Sequence, residues 1–100
     1  MVAAAFLADR GALVIGRNVS VGRGEIDLIV HHDGVRVAVE VKTATATSRV
    51  PDPVVNFDDD KLVQVWSLAR RLDPPADRVD LVTVVLGKHG VDVRWVPGVG

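Results

Sequence analysis

Two acids and a lysine form the pattern in this sequence that is best suited to chemistry. Asp27 and Glu40 lie on either side of an Asp33-Gly34 dipeptide, which favours a two-residue type I′ hairpin turn. Counting outwards from this turn places Asp27 directly across from Glu40, with Lys42 on the same face two residues further on. Like charges that oppose each other on a sheet repel, because their Cβ atoms lie only about 4.5–5.5 Å apart. The pairing of the two acids therefore requires a compensating interaction.

A divalent cation would provide that compensation. Mg²⁺ takes oxygen ligands from one or two carboxylates and keeps several of its waters, so Asp27 and Glu40 could chelate one ion between them. Lys42 would then stand beside the metal-bound water or the anion that this water attacks. Metal, water and ammonium together suit the hydrolysis of a phosphodiester, in which negative charge develops in the transition state.

The same pattern also has an ordinary structural interpretation. Antiparallel hairpins commonly turn an apolar face to the core and a charged face to solvent. On this interpretation Glu25 and Lys42 form a cross-strand ion pair, while Asp27 and Glu40 are two hydrated acids. Against it, the acids face each other instead of alternating in sign with bases, and Ile29 shares their face, which is therefore partly covered. The apolar face is expected to contain Ile26, Leu28, Val30, Val37, Val39 and Val41.

Length and composition limit the class of protein. One hundred residues with 48% hydrophobic and 25% charged side chains are typical of one globular domain, here 1–100. No apolar run is long enough to cross a bilayer. The absence of cysteine excludes disulfides and thiolate metal sites, and nothing indicates secretion. We therefore expect a soluble, cytoplasmic domain that does not associate with membranes.

The formal net charge of -1 argues against a high-affinity, non-specific nucleic-acid binder, since such proteins are usually basic. It does not exclude a nuclease, because the acids of a metal site lower the net charge. Phosphate contacts would have to come from local basic groups, and each of these taken alone is better explained as a solvated surface charge. The candidates are Arg10, Arg17, Arg23, Arg49, Lys61, Arg70 and Arg71.

The first half of the chain contains a helix, a strand and the hairpin. Alanine and leucine predict a helix over 1–10, and an apolar run predicts a short buried strand over 12–16 that turns at Asn18. After the hairpin, the polar and proline-containing residues 43–57 predict a flexible loop. A loop this long in a small domain is usually functional or disordered.

The second half contains one helix and two strands. Helical spacing predicts a helix that begins at Asp58 or Asp59 and stops before Pro74-Pro75. Its expected apolar face consists of Leu62, Val65, Trp66, Ala69 and Leu72. β-Branched residues then predict strands over 78–86 and 91–96.

These residues resemble a known group of proteins. With Gly24-Glu25-Ile26-Asp27 before the turn and Glu40-Val41-Lys42 after it, the sequence resembles the PD-(D/E)XK nuclease superfamily. More closely it resembles small, uncharacterised bacterial YraN-type proteins, which are similar to archaeal Holliday junction resolvases. The resemblance implies an α/β fold with a restriction endonuclease-like core: a mixed central sheet of about five strands flanked by helices, in the order αβββαββ. Further similarities are Ala3-Ala4-x-Phe6-Leu7 with Gly11, Arg17-Asn18, Lys61 and Arg78-x-Asp80.

The resemblance also implies roles for individual residues. Asp27 and Glu40 would be metal ligands together with the carbonyl of Val41, and Lys42 would be the catalytic lysine. Lys61 would lie near a substrate phosphate. The other candidates for substrate binding are Glu25, Arg23 and Arg49. The implied activity is a Mg²⁺- or Mn²⁺-dependent endonuclease acting on DNA, with branched DNA as a candidate substrate and, because junctions are two-fold symmetric, a homodimer as the assembly.

Two departures from this resemblance keep other hypotheses open. Relatives carry a glutamate on the first helix at a position that here falls upstream of Met1, so the N-terminal helix is expected to be truncated or the ligand lost. Residues 43–47 replace an arginine and a Phe-Gly segment. A catalytically impaired nucleic-acid-binding or scaffold protein with the same fold is one alternative. A protein-interaction module unrelated to nucleic acids is another.

Overall fold

The computed structural model describes residues 1–45 and 59–100, which form one sheet with a helix on each face. The five strands lie in the order β1-β2-β3-β4-β5, and every pair is antiparallel except β3 with β4. The predicted α/β class and the order αβββαββ are confirmed. The elements are α1 (Val2–Asp9), β1 (Leu13–Val21), β2 (Gly24–His32), β3 (Val35–Thr45), α2 (Asp59–Arg71), β4 (Arg78–Gly87) and β5 (Gly90–Val96).

The two helices bury opposite faces of the sheet. Parallel strands need a crossover connection, and α2 lies within the connection from β3 to β4. Side chains alternate between the faces of a strand, so each helix covers its own set of strand residues. The α1 core contains Ala3, Ala4, Leu7, Ala12, Leu28, Val30, Val37, Val39, Val82 and Val84. The α2 core contains Val21, Ile26, Ile29, Ala38, Val65, Leu68, Ala69, Leu72, Ala76 and Val79.

Helix α2 follows the sequence prediction closely. It begins at Asp59 and ends at Arg71, and its predicted apolar residues lie in or against the α2 core. The sequence pattern missed Leu68, which is buried beside Gly24 at the start of β2. Acids at the beginning of the helix and arginines at its end suit the helix dipole. Asp58, the other predicted starting residue, lies outside the described residues.

The hairpin turn has the predicted conformation. Asp33 and Gly34 have φ angles of 53° and 76°, and a type I′ turn requires positive φ at both central residues. The predicted register is confirmed from His32–Val35 through Leu28–Val39, where the ladder between β2 and β3 ends. The pairs predicted beyond that point are wrong for these described strands: Ile26–Val41, Asp27–Glu40 and Glu25–Lys42.

Strand β2 leaves β3 at Asp27. The backbone N–H of Val41 donates to Asp27 Oδ2 at 2.8 Å, where a continued ladder would place the carbonyl of Ile26. A charged carboxylate is a stronger acceptor than a neutral carbonyl, so the side chain can take the place of the strand. Ile26 packs in the α2 core, whereas Leu28 and Val30 pack in the α1 core, so its predicted place on the same apolar face as these two residues is wrong.

Strand β1 differs most from its prediction. It runs from Leu13 to Val21 instead of ending near residue 16, and it is an edge strand instead of a buried one. Leu13 is 63% exposed and Ile15 is 40% exposed, because β1 has a neighbour on one side only. Asn18 has a φ of 49°, which asparagine tolerates better than most residues, and the pairing with β2 continues past it.

The predicted loop over 43–57 begins too early. β3 continues to Thr45, and residues 43–45 pair with β4 in the parallel ladder. Threonine is β-branched and fits a strand well, a preference that the polar character of this segment concealed. Residues 46–57 of the predicted loop lie outside the described residues. In the two described ranges no helix has the length and apolar character needed to span a membrane.

A buried carboxylate joins the strands on the α1 side of the sheet. Asp80 is fully buried and accepts hydrogen bonds from Arg78 Nε and Nη2, both at 2.8 Å. It also accepts from Trp95 Nε1 at 2.9 Å and from the backbone N–H of Gly98 at 3.0 Å. Arg78 Nη2 lies 2.8 Å from His32 Nδ1, so this Asp80 network connects β4, β5 and the end of β2. The charge of the acid is fully compensated by a bidentate guanidinium.

We expect Asp80→Asn to lower the free energy of unfolding by about 3 kcal/mol, because it leaves the half-buried Arg78 charge with the exposed and more distant Asp33 carboxylate in place of its buried partner. Urea unfolding followed by tryptophan fluorescence measures this. The matched control is Asp92→Asn, since Asp92 is 61% exposed in its ion pair with Arg94 and should contribute less than about 1 kcal/mol. Equal losses in the two variants would contradict a structural role for the network.

Candidate metal centre

Four charged side chains meet where β2 separates from β3, and we call them the Glu40 cluster: Asp27, Glu40, Lys42 and Lys61. Val39 belongs to the α1 core, so the alternation of β3 directs Glu40 to the α2 face. There Lys61 Nζ, in the first turn of α2, lies 3.5 Å from Glu40 Oε1. The Glu40 side chain is only 12% exposed, which makes this a largely enclosed acid.

Asp27 and Val41 form the other half of the site. The Asp27 carboxylate fills the gap between the strands and accepts the Val41 N–H at 2.8 Å. In an extended strand the N–H and C=O of one residue point to the same neighbouring strand. The carbonyl of Val41 is therefore directed to the side on which β2 has separated. The three predicted metal ligands, Asp27, Glu40 and Val41, are thus brought together.

The electrostatics of the cluster favour a bound cation. Burial raises the pKa of Glu40, and the negative charge of Asp27 raises it further. Lys61 and Lys42 lower the pKa of Glu40, but they do not cancel the increase. An enclosed acid next to a second acid is therefore undercompensated by the lysines, and a divalent cation between the acids would stabilise the ionised form.

The donor set is appropriate for Mg²⁺ or Mn²⁺. Carboxylate and carbonyl oxygens are hard ligands of the kind that these ions prefer. Within residues 1–45 and 59–100 no three histidine, aspartate or glutamate side chains form a common metal-binding group. Mg²⁺ commonly binds through only one or two carboxylates and retains several waters, so Asp27 and Glu40 fit it.

The other predicted site residues are less close to the cluster. Glu25 is exposed, and its register partner is Ser20 of β1. The predicted cross-strand ion pair of Glu25 with Lys42 is therefore not a register pair between β2 and β3. Arg23 is exposed in the turn between β1 and β2. Arg49 lies outside the described residues. Among the candidates for substrate binding, the fold brings Lys61 into the cluster.

Sequence reasoning missed Thr83. It is the register partner of Lys42 in the parallel ladder with β4, so both side chains lie on the α2 face. Thr83 is fully buried, and its Oγ1 has no hydrogen-bond partner among the described residues. The available signal was a single hydroxyl in the apolar run 81–86. Its proximity to Lys42 depends on which strand lies next to β3, which a local pattern does not reveal.

The pKa of Glu40 predicts a pH-dependent stability. Ionising Glu40 is harder in the folded state, so this residue destabilises the fold above its raised pKa and ceases to do so below its ordinary pKa of 4.5. In EDTA, Glu40→Gln should therefore gain stability relative to wild type as pH rises from 4 to 8, as measured by urea unfolding. Glu25→Gln serves as control for changing the net charge by one. A constant difference between Glu40→Gln and wild type would contradict this prediction.

Comparison with known proteins places the chain in a family. The model of the uncharacterised protein family UPF0102 matches residues 1–84. A UPF0102 protein of Symbiobacterium thermophilum is 40% identical, covering 88% of this chain and 79% of its own length. A UPF0102 protein of Dictyoglomus turgidum is 30% identical, covering 90% and 80%, and one of Anaeromyxobacter dehalogenans is 34% identical, covering 96% and 75%. The predicted resemblance to YraN-type proteins is confirmed, and the chain belongs to the UPF0102 family.

Proposed function

We propose that this protein is a divalent-metal-dependent endonuclease that hydrolyses phosphodiester bonds of DNA. The observation that carries the proposal is the enclosed Glu40 carboxylate beside Asp27, at a strand separation that also directs a backbone carbonyl into the gap. Lysines from β3 and α2 adjoin these acids. Acids that hold a cation and bases that attract an anion are the combination that phosphodiester hydrolysis needs.

Each residue of the cluster has a distinct role in this proposal. Asp27, Glu40 and the carbonyl of Val41 would hold Mg²⁺ or Mn²⁺. The bound ion would polarise a phosphoryl oxygen and lower the pKa of water. Lys61 lowers the pKa of Glu40 and so helps to keep it in its ligating form. Lys42 presents a positive charge that would bind the substrate phosphate and neutralise the charge that develops on it.

The nature of the substrate follows from charge and resemblance. The lysines favour an anionic ligand, and a phosphodiester backbone offers one at every nucleotide. Branched DNA is the candidate structure because the sequence resembles Holliday junction resolvases. The names of the UPF0102 relatives assign no activity, so the proposal depends on the geometry of the Glu40 cluster.

A second candidate function is DNA binding without cleavage. The observation that favours it is the small number of ligating side chains. In the described ranges the site offers two carboxylates, and no third acidic or histidine side chain joins them. A centre with few ligands holds its metal weakly, whereas the lysines would still contact phosphates. Salt-dependent DNA binding without metal-stimulated cleavage would select this function.

We expect Mn²⁺ to bind at the Glu40 cluster, and paramagnetic broadening in ¹⁵N NMR spectra locates it. The Val41 amide should broaden first, because its N–H lies against the Asp27 carboxylate. Asp27→Asn and Glu40→Gln should each weaken binding by at least about 10- to 100-fold, whereas the exposed Asp92→Asn should not. Broadening centred on the exposed Asp59 and Asp60 would place the metal elsewhere.

We expect metal-dependent cleavage of supercoiled plasmid and of four-way-junction DNA. Asp27→Asn and Lys42→Ala should each reduce the rate by about 10²- to 10³-fold, because the first removes a metal ligand and the second removes a positive charge at the reacting phosphate. Asp92→Asn, prepared in the same way, should retain the wild-type rate. Equal residual cleavage by all four proteins would indicate a contaminating nuclease, and the enzymatic proposal would be abandoned.

A further inference from the structure

A second charged feature lies on the α2 face, away from the Glu40 cluster. A cleft of about 470 Å³ opens between β1 and the C-terminal end of α2. Its polar lining includes Ser20 and Gly22 from β1 and its turn, Arg36 from β3, and Arg71 and Asp73 at the end of α2. Two arginines and one aspartate therefore line the cleft, and Arg36 also borders an adjoining pocket that Asp77 lines.

Both arginines have unusual surroundings. The Nε–H of Arg36 is buried and donates to no acceptor in the part of the chain that the structure describes. A buried donor without an acceptor is unfavourable, and an anion in the cleft that Arg36 lines would satisfy this donor if the side chain turned its Nε–H toward the cleft. Arg71 packs directly on Gly22, where an added Cβ would lie 2.6 Å from Arg71 Nη2. The lack of a side chain at Gly22 admits the guanidinium to the cleft.

The cleft and the Glu40 cluster lie on the same face of the sheet, at opposite ends of α2. Arg36 and Glu40 both lie on the α2 face of β3, four residues and about 13 Å apart. Along α2, Lys61 at the cluster and Arg71 at the cleft are separated by ten residues, or about 15 Å. A DNA strand advances about 3.4 Å per nucleotide along a duplex, so this separation corresponds to about four nucleotides.

We propose that the Arg36–Arg71 cleft binds a backbone phosphate of the DNA strand, about four nucleotides from the bond that faces the Glu40 cluster. The identity of the strand rests on the proposed function. Guanidinium groups bind phosphate through paired hydrogen bonds, and the Ser20 hydroxyl offers another donor at the same cleft. The Asp73 carboxylate repels an anion and moderates the affinity.

The test is DNA binding in EDTA, measured by fluorescence anisotropy over a range of KCl concentrations. Arg71→Ala and Arg36→Ala should each weaken binding and reduce the slope of log K against log salt by about one. The matched control is Arg70→Ala, because Arg70 is in the same helical turn but lies 5.5 Å over the Trp66 ring instead of lining the cleft. Asp73→Asn should strengthen binding.

The outcomes separate this inference from the nuclease proposal. If the salt slopes of DNA binding for Arg71→Ala and Arg36→Ala match that of Arg70→Ala, the proposed phosphate binding at the cleft is overturned, even if cleavage depends on Asp27. If the salt slope depends on the two arginines but no metal-stimulated cleavage occurs, phosphate binding at the cleft is supported and the nuclease proposal is rejected. Inorganic phosphate could shift the Arg36 Nε–H resonance while the arginine substitutions leave DNA binding unchanged. That result would also overturn the assignment of a DNA strand to the cleft. Arg71 is exposed, so its variant remains informative if Arg36→Ala does not fold.

Discussion

The hydrogen bond from the Val41 N–H to the Asp27 carboxylate is the interaction on which the site depends. It ends the ladder between β2 and β3 at Leu28–Val39 and replaces a backbone acceptor by a charged side chain. One bond therefore does three things: it positions Asp27 next to β3, leaves a gap in the sheet, and directs the Val41 carbonyl into that gap. Without the separation, β2 would cover the edge that Glu40 and Lys42 adjoin.

Asp80 and Glu40, two largely enclosed acids among the described residues, have opposite electrostatic surroundings. Asp80 is satisfied by Arg78, Trp95 and a backbone N–H, so its charge is compensated and it joins three strands. Glu40 keeps a raised pKa despite its lysines, because burial and Asp27 outweigh them. A compensated buried charge stabilises architecture, whereas an undercompensated one retains the capacity to bind a ligand.

Much of the fold was predictable because it is encoded locally. The Asp33-Gly34 dipeptide sets the turn, the turn sets the register as far as Leu28–Val39, and helical spacing sets the apolar face of α2. The errors came where tertiary context decides. The apolar run over 12–16 predicts a buried strand although β1 lies at the edge, and the polar character of residues 43–45 predicts a loop although β3 continues to Thr45.

The sequence by itself determined which residue types meet in the hairpin, since a two-residue turn and side-chain alternation leave little freedom over a few residues. Only the tertiary structure decided that Asp27 enters the gap instead of facing Glu40 across a ladder, because a side chain and a backbone carbonyl compete for the same N–H. The approach of Lys61 to Glu40 and the pairing of Lys42 with Thr83 likewise depend on how α2 crosses the sheet. Such contacts join residues distant in the chain, and no local pattern encodes them.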